Sequence, residues 1–429
     1  MSFIKNTIIT FSTQLFVVLM SFIVSIFLSR TLGPTGLGTY SLVILVSTLL
    51  VNIGTLGIGI SNTYFTGKDY DIVKITSNSI ILSLLLGSLI ATSFFILNFI
   101  YPDILNNINA NLVNIVIVIL PLTFLTNFFS SILLGKQKIK EFNFIMFIQY
   151  LFLLIFLLTF LLLINGSVFF AILAWSISSV ISSITSIILI KNMTEIKLSF
   201  DFALFKKSLN FGLKSYISNI IGFLLYRVDM FLVNAFLGIT FVGYYSVSVM
   251  LVETLWYLPT SVGTVVLSQT LKLSKKESNE LTPIICRNTI FLTIILAVIL
   301  LLFGKQIIII FFGNSFIPAL LPLQILLLGA VAMSINKVLS NELIARGKPI
   351  IGAIAASIAL SINLPLNLLL IPKFGISGAA LSSTISYSIS TIIPLFAFIK
   401  ISDNNIYNVL IINKNDIKIY KTFIKNFLK

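Results

Sequence analysis

Charged residues stand deep inside stretches that are otherwise apolar, among them Arg227 and Asp229 within 214–238, Glu253 within 242–268, and Lys337 within 318–345. A permanently charged guanidinium grips phosphate or carboxylate, and a carboxylate exchanges a proton or a cation. At the centre of a bilayer a charge costs about 2.5–3.5 kcal/mol even on insertion scales, so each needs a partner, water or cargo. Arg227 lies about thirteen residues into its stretch, roughly 20 Å from one end at 1.5 Å per residue. Glu253 reaches nearly the same depth from the other side. Asp229 is about 200° round the helix from Arg227 at 100° per residue, so the two do not face one narrow cavity together. Two readings follow: a buried Arg–carboxylate pair tying two helices, or an anion site at Arg227 with Asp229 or Glu253 balancing charge or coupling to an ion. Because ionisable residues inside a membrane are functional by default, the second is the stronger expectation. Lys337 is a further candidate for contact with cargo, although Glu342, five residues on, makes an ion pair its expected role. Arg30, at the outer end of an apolar stretch, is a candidate for the outer mouth or a snorkelling residue.

The composition withholds other chemistry. The chain has no His, which removes the commonest metal ligand and general base, and its one Cys, Cys286, excludes an internal disulfide. Of 429 residues, 58% are hydrophobic and 10% charged, where a water-soluble fold carries about a quarter charged. The net charge of +15 takes its meaning from where the basic residues fall and does not by itself imply nucleic acid.

The elements that position these residues are twelve apolar segments, each long enough to cross a hydrocarbon core of about 30 Å as a helix. They fall at 6–29, 40–63, 76–101, 112–134, 144–164, 167–190, 214–238, 242–268, 284–304, 318–345, 350–371 and 376–399. The first runs past the length of a signal-peptide core and is expected to stay as a helix. With both ends cytoplasmic, one side collects Lys5, Lys68, Lys74, Lys136, Lys138, Lys140, the lysines from Lys191 to Lys214, Lys272 to Arg287, Arg346, Lys348 and the lysines from Lys400 onward. The other side receives Arg30, Lys305 and Lys373. Basic residues concentrate on the cytoplasmic side, so this asymmetry supports both the count and the orientation.

The chain is expected to divide into a six-helix lobe at 1–190, a connecting segment at 191–213 lying along the membrane surface, a second lobe at 214–399 and a basic amphipathic tail at 400–429. The tail alternates Ile417, Tyr420, Ile424, Phe427 and Leu428 with lysines, a pattern expected to anchor on an anionic leaflet. The lobes repeat. Leu32-Gly33-Pro34-Thr35-Gly36-Leu37-Gly38-Thr39-Tyr40-Ser41 aligns with Leu237-Gly238-Ile239-Thr240-Phe241-Val242-Gly243-Tyr244-Tyr245-Ser246, an offset of 205 residues. Gly135-Lys136 pairs with Gly347-Lys348, and Gly166 and Ala171 pair with Gly375 and Ala380. Six spans between equivalents make the repeats parallel, about an axis along the membrane normal, and such an arrangement predicts a cavity. Position 22, the equivalent of Arg227, is Phe22, so the midplane charge belongs to one lobe. Tyr216, Tyr226, Tyr244, Tyr245, Trp256 and Tyr257 are expected to offer ring faces to a ligand or to form an interfacial belt. The serines from Ser176 to Ser186 suit close helix packing.

The turn Arg30-Thr31-Leu32-Gly33-Pro34 to Gly38-Thr39-Tyr40-Ser41, the Tyr226-Arg227-Val228-Asp229 element and Leu258-Pro259 resemble the polysaccharide-unit flippases (Wzx type) of the multidrug/oligosaccharidyl-lipid/polysaccharide exporter superfamily. The resemblance covers the whole chain. It implies an all-α, MATE-like fold of twelve transmembrane helices in two lobes, and a transporter in the cytoplasmic membrane. Its cargo would be an oligosaccharide on an isoprenoid pyrophosphate, moved by alternating access. Carried over, Arg227 would contact the pyrophosphate, Arg30 would help at the outer mouth, and Asp229 or Glu253 would balance charge or couple to H+ or Na+; no other cofactor is implied. Partners would be the lipid-linked oligosaccharide, membrane lipids, and polysaccharide polymerase and glycosyltransferases. A multidrug exporter and a peptidoglycan-precursor flippase of the same superfamily are the alternatives. An enzyme of glycan assembly is disfavoured by the missing His and the lack of a catalytic domain.

Overall fold

The computed structural model describes residues 2–101, 108–163, 166–271, 273–413 and 416; the tail residues from Ile417 on lie outside them. Among the described residues every regular element is helical. In hydrocarbon no water is present to receive an unpaired N–H or C=O, and a helix pairs them within one segment. In the first half the helices are α1 (Ser2–Gly54), α2 (Ile58–Gly67), α3 (Ile72–Ile100), α4 (Ala110–Val118), α5 (Leu120–Gly135), α6 (Ile139–Leu163) and α7 (Val168–Lys191). The second half adds α8 (Phe202–Leu237), α9 (Ile239–Thr254), α10 (Tyr257–Thr270), α11 (Lys275–Ile307), α12 (Leu320–Ala345), α13 (Ile350–Phe374), α14 (Ile376–Ser402) and the short α15 (Ile406–Leu410).

Nine described helices are long and apolar enough to cross a membrane, and eleven do so if the bent pairs α4–α5 and α9–α10 each form one span. The 53 residues of α1 would measure about 80 Å at 1.5 Å per residue, more than twice the hydrocarbon core. A break at Gly33, φ 64° and ψ −171°, divides it into two segments, each about as long as a span needs to be. Glycine takes positive φ without steric cost, and Pro34 restarts the helix where its missing N–H would have no partner. In α9–α10 the bend is 41°, and Pro259 explains it: a proline ring clashes with the carbonyl four residues back, here Leu255, which lies in the break. The second part of the connecting segment is helical: α8 starts at Phe202, with the Asp201 side chain accepting from the Leu204 N–H at 2.9 Å, and its apolar stretch begins at Tyr216. Helix propagates back from the span once such a cap satisfies its first turn.

The chain forms two compact units, Met1–Ile220 with Leu237–Gly243, and Ile221–Phe236 with Tyr244–Lys429. In the first, Phe65, Ile75, Leu125, Phe129, Ile132 and Leu133 centre a buried cluster. The serines Ser176, Ser178, Ser179, Ser182, Ser183 and Ser186 are all buried on α7, and Ser183 donates to the Leu122 carbonyl at 3.2 Å. Small residues let helices approach closely where lipid provides little hydrophobic drive to pair them.

The sequence repeat becomes a contact within this first unit. Thr35 and Thr240, equivalent in the repeat, place their hydroxyls 2.9 Å apart. A Cβ added at Gly38 would overlap the Ile239 carbonyl, and one added at Gly243 would overlap the Pro34 carbonyl. The contacts are reciprocal under the same offset of 205, so glycine at both sites is what permits the backbone crossing. A second equivalence shifts. Lys138 N–H reaches Leu133 O at 2.9 Å and Lys348 N–H reaches Leu343 O at 2.8 Å, the wide bond of a Schellman turn. Both Gln137 and Gly347 take positive φ. The turns therefore equate Gln137-Lys138 with Gly347-Lys348, two residues on from the match that the Gly-Lys letters suggest.

In the second unit, Val266, Cys286, Val338, Leu339, Leu395, Phe398 and Val409 form one cluster, and α15 supplies Val409. Arg287 ties Asp416 and α15 to α11: its Nε and Nη2 donate to the two oxygens of Asp416 at 2.6 and 3.0 Å, and its Nη1 donates to the Asn408 carbonyl at 3.1 Å. Both side chains are almost wholly buried, 8% and 1% exposed. Hydrogen bonds from Arg287 hold the Asp416 carboxyl below its ordinary value of 3.8, against the opposing effect of burial. A depressed folded value means that this stabilisation is present above pH 3.8 and lost as the pH falls through the lowered value.

Two outcomes are expected. Cysteines at Thr35 and Thr240, on a Cys286→Ala background, should cross-link with a short bifunctional thiol reagent; no gel-shifted product would mean the turns lie apart. Arg287→Ala should destabilise the fold by about 3–5 kcal/mol, since it strands a buried carboxylate, while joint Arg287→Met and Asp416→Leu should recover most of the loss. Thermal melts at neutral pH measure both, and the deficit of Arg287→Ala should shrink in acid once Asp416 protonates.

Candidate functional site

The site lies in the second unit, where α8, α9, α10, α12 and α14 bring the charged residues together. Arg227 sits near the middle of the apolar stretch Tyr216–Leu237. Glu253 is in the last turn of α9, at the bend before Pro259. Arg227 Nη2 stands 2.9 Å from Glu253 Oε1 and 3.1 Å from Oε2. The pair is half-buried, 29% and 27% exposed.

Lys337 comes from α12. Its ammonium lies 5.1 Å from the Tyr226 ring centre and 5.4 Å from that of Trp256, close enough for the ring quadrupole to attract the cation. Tyr387 of α14 completes the wall, 5.8 Å from Tyr226 and 5.4 Å from Trp256. No described carboxylate stands within ion-pair distance of Lys337. The expected pairing with Glu342 is thus corrected: Glu342 is fully buried and binds Arg346 at 2.6 Å, Ser278 Oγ at 2.6 Å and the Thr270 hydroxyl. Residues 342 and 346 share a helix face at four-residue spacing, whereas five residues put 337 on another.

Asp229 turns away from Arg227, as its angular offset requires. Buried at 1% exposure, it accepts from Tyr245 Oη at 2.6 Å, Ser383 Oγ at 2.9 Å and the Met230 N–H at 2.8 Å. Three donors satisfy a buried carboxylate well and tie α8, α9 and α14 together. Behind it, Asn363 donates to Ser386 Oγ at 3.2 Å, and Asn367 donates to Asn363 Oδ1 at 2.8 Å. Among the described residues no group of three or more His, Cys, Asp or Glu is placed to hold a metal ion. Arg30 belongs to the first unit, exposed on α1 just before the Gly33 break.

The aromatic expectation narrows. Tyr245, Tyr216 and Trp256 are buried. Tyr245 serves Asp229, and the Tyr216 hydroxyl donates to the Ile53 carbonyl, so neither offers a free face for a sugar. Tyr257 is 48% exposed. Ser383 and Tyr387 escaped sequence reading; their spacing of four residues on α14 was the available signal for one helix face.

A multi-pass all-helical membrane protein with basic residues in mid-span is thus defined. The sequence pattern of the "Polysaccharide biosynthesis protein" family matches residues 3–269, and the chain belongs to that family. An uncharacterized membrane protein of Methanocaldococcus jannaschii is 27% identical over 217 residues, 49% of this chain and 43% of that one. A protein of Haloferax volcanii, named a probable low-salt glycan biosynthesis flippase, is 25% identical over 188 residues, 43% of this chain and 40% of that one. The chain thus spans less than half the length of these relatives. In fold it resembles the lipid II flippase MurJ in its inward closed conformation, with TM-score 0.74, 20% identity and coverage of 93% and 90%. It also resembles an inward-facing multidrug resistance MATE family transporter of the MOP superfamily, with TM-score 0.75, 16% identity and coverage of 92% and 98%.

Removing the acceptor at the centre of the second unit should show its structural role. Asp229→Ala leaves the Tyr245 and Ser383 hydroxyls without their acceptor, at about 1–3 kcal/mol each. The variant should melt well below the parent, and Tyr245→Phe should fall between them. An Asp229→Ala melt equal to the parent's would remove Asp229 from the packing.

Proposed function

We propose that this chain is a transporter, a flippase that moves oligosaccharide units carried on an isoprenoid pyrophosphate across the cytoplasmic membrane for surface polysaccharide assembly. One observation carries the reading: in mid-span, Arg227 meets Glu253 and Lys337 rests on the adjoining Tyr226 and Trp256 rings, while Asp229 faces away into hydroxyl donors, so the basic groups outnumber the carboxylate on their side. An anion is the cargo such a site suits, and an organic cation is what it would repel. A pyrophosphate cannot enter hydrocarbon unaided, and a basic site open to one side at a time lowers that barrier while the lipid tail stays in the bilayer. Family membership and the glycan flippase among the relatives support the same cargo class.

Alternating access is the mechanism proposed, with the two repeats rocking so that the outer gate opens between the turns at Gly33 and Gly238, and Arg30 acting at the outer mouth. It is supported by the parallel repeat and by the shared fold with transporters of this superfamily. Both ends are placed on the cytoplasmic side by the distribution of lysine and arginine. Asp229, buried among hydroxyl donors, is the candidate for coupling to H+ or Na+. Polymerase and glycosyltransferases are the proposed protein partners. A peptidoglycan-precursor flippase is the second reading, favoured by the fold shared with MurJ, and complementation of a strain lacking that step would decide for it.

Arg227→Ala should abolish flipping of a lipid-linked oligosaccharide in proteoliposomes while the protein remains folded and inserted. Arg227→Lys should keep part of the rate, because charge survives and the planar fork does not. Full activity in Arg227→Ala would end the anion-site reading. Full activity with a Thr35–Thr240 bridge intact would end the rocking mechanism and leave the anion site standing.

A further inference from the structure

We infer that Glu253 is an internal stand-in for the cargo's anionic group: it occupies Arg227 while the site is empty and is displaced when a pyrophosphate arrives. The inference rests on the anion-site reading of Arg227 and adds to it a competitor built into the chain.

Two arginine–carboxylate pairs in this protein allow a comparison. Arg287 grips Asp416 with two nitrogens on two oxygens, at 2.6 and 3.0 Å, and almost no solvent reaches either side chain. That is the fork-to-fork geometry of a permanent clamp. Arg227 meets Glu253 with Nη2 alone, at 2.9 and 3.1 Å, and more than a quarter of each side chain is exposed. Its Nε and Nη1 donate to no described residue. The contact neutralises the guanidinium, as a mid-membrane charge requires, but leaves its fork open to a second anion.

Neighbouring donors are also unfilled. The Lys337 ammonium rests on the Tyr226 and Trp256 rings with no described carboxylate. The Trp256 indole N–H is buried with no acceptor, in a residue 8% exposed. A buried donor left unpaired costs about 1–3 kcal/mol, which an arriving acceptor relieves. Two oxygens of a carboxylate occupy part of this donor set; the several oxygens of a pyrophosphate can occupy more of it. Glu253 also sits where it can yield, at the bend between α9 and α10 with Pro259 behind it. Once the phosphate departs, the carboxylate returns to Arg227 and prevents the empty site from holding the cargo's charge, so release is favoured at the expense of affinity.

The test is the affinity of the detergent-solubilised full chain for inorganic pyrophosphate, measured by calorimetry. Removing a competitor tightens binding: Glu253→Gln should lower Kd by about tenfold, roughly 1.4 kcal/mol, and Glu253→Ala should lower it as well. Glu280→Gln, which removes an exposed carboxylate and the same unit of charge, should leave Kd unchanged. Lys337→Gln introduced into Glu253→Gln should undo most of the gain. If the parent binds and Arg227→Ala does not, but Glu253→Gln and Glu253→Ala bind no tighter than the parent, the stand-in role is refuted and the anion site survives. If neither the parent nor Glu253→Gln binds pyrophosphate, the anion-site reading fails and takes this inference with it.

Discussion

A charge in the middle of a bilayer has to be answered locally, and much of the second unit is arranged around that requirement. Water would solvate Arg227 for nothing; hydrocarbon cannot, and continuum costs at low dielectric are large enough that an unanswered guanidinium would not stay there. Glu253 answers it. The carboxylate stands at that depth in the last turn of α9, beside the break that Pro259 imposes between α9 and α10. Lys337 is answered differently, by the faces of Tyr226 and Trp256, which lower its cost without cancelling its charge. Asp229 is answered by hydroxyls and a backbone N–H. Three solutions to one problem stand within a few helices of each other, and they differ in what they leave free.

Backbone pairing imposes the second constraint, and glycine meets it at two special places. Spans must stay helical, yet adjoining spans must turn without stranding peptide groups. At Gly33 and Gly238 the chain turns through positive φ, and immediately beyond each turn the glycines Gly38 and Gly243 let two backbones touch across repeat-equivalent positions. Side chains at either site would push the crossing apart. The repeat is therefore more than a similarity of letters: the residues it preserves are those the reciprocal contact needs.

The twelve segments were legible because hydropathy and lysine placement are properties of the chain itself, independent of what packs on what. The site was legible in part for the same reason. Depth follows from counting residues, so Arg227 and Glu253 could be set at one level, and angular offset separated Asp229 from them. What counting cannot supply is the partner across a helix interface. Lys337 was expected to meet Glu342, but Glu342 is claimed by Arg346 one turn away and by Thr270 and Ser278 from other helices. The clamp between Arg287 and Asp416 joins residues 129 apart, and neither carries a local signal. The shifted match of Gln137-Lys138 with Gly347-Lys348 is instructive as well, since the structure aligns the repeat by turn geometry where the letters aligned it by glycine.

The difference between clamped and open pairs bears on what a transporter's site must do. An arginine held by a full fork of hydrogen bonds, as Arg287 is, contributes to stability and has nothing left for a ligand. An arginine without any counter-charge would bind an anion well and release it poorly, and would be costly to keep in the membrane between turnovers. Arg227 lies between these limits: paired through one nitrogen, half-buried, beside a lysine whose charge is only shaded by aromatic rings. Transport needs affinity on one side and release on the other, from the same residues. A carboxylate that competes for the same guanidinium keeps binding and release close in free energy, and a flexible bend is where such a carboxylate has room to move.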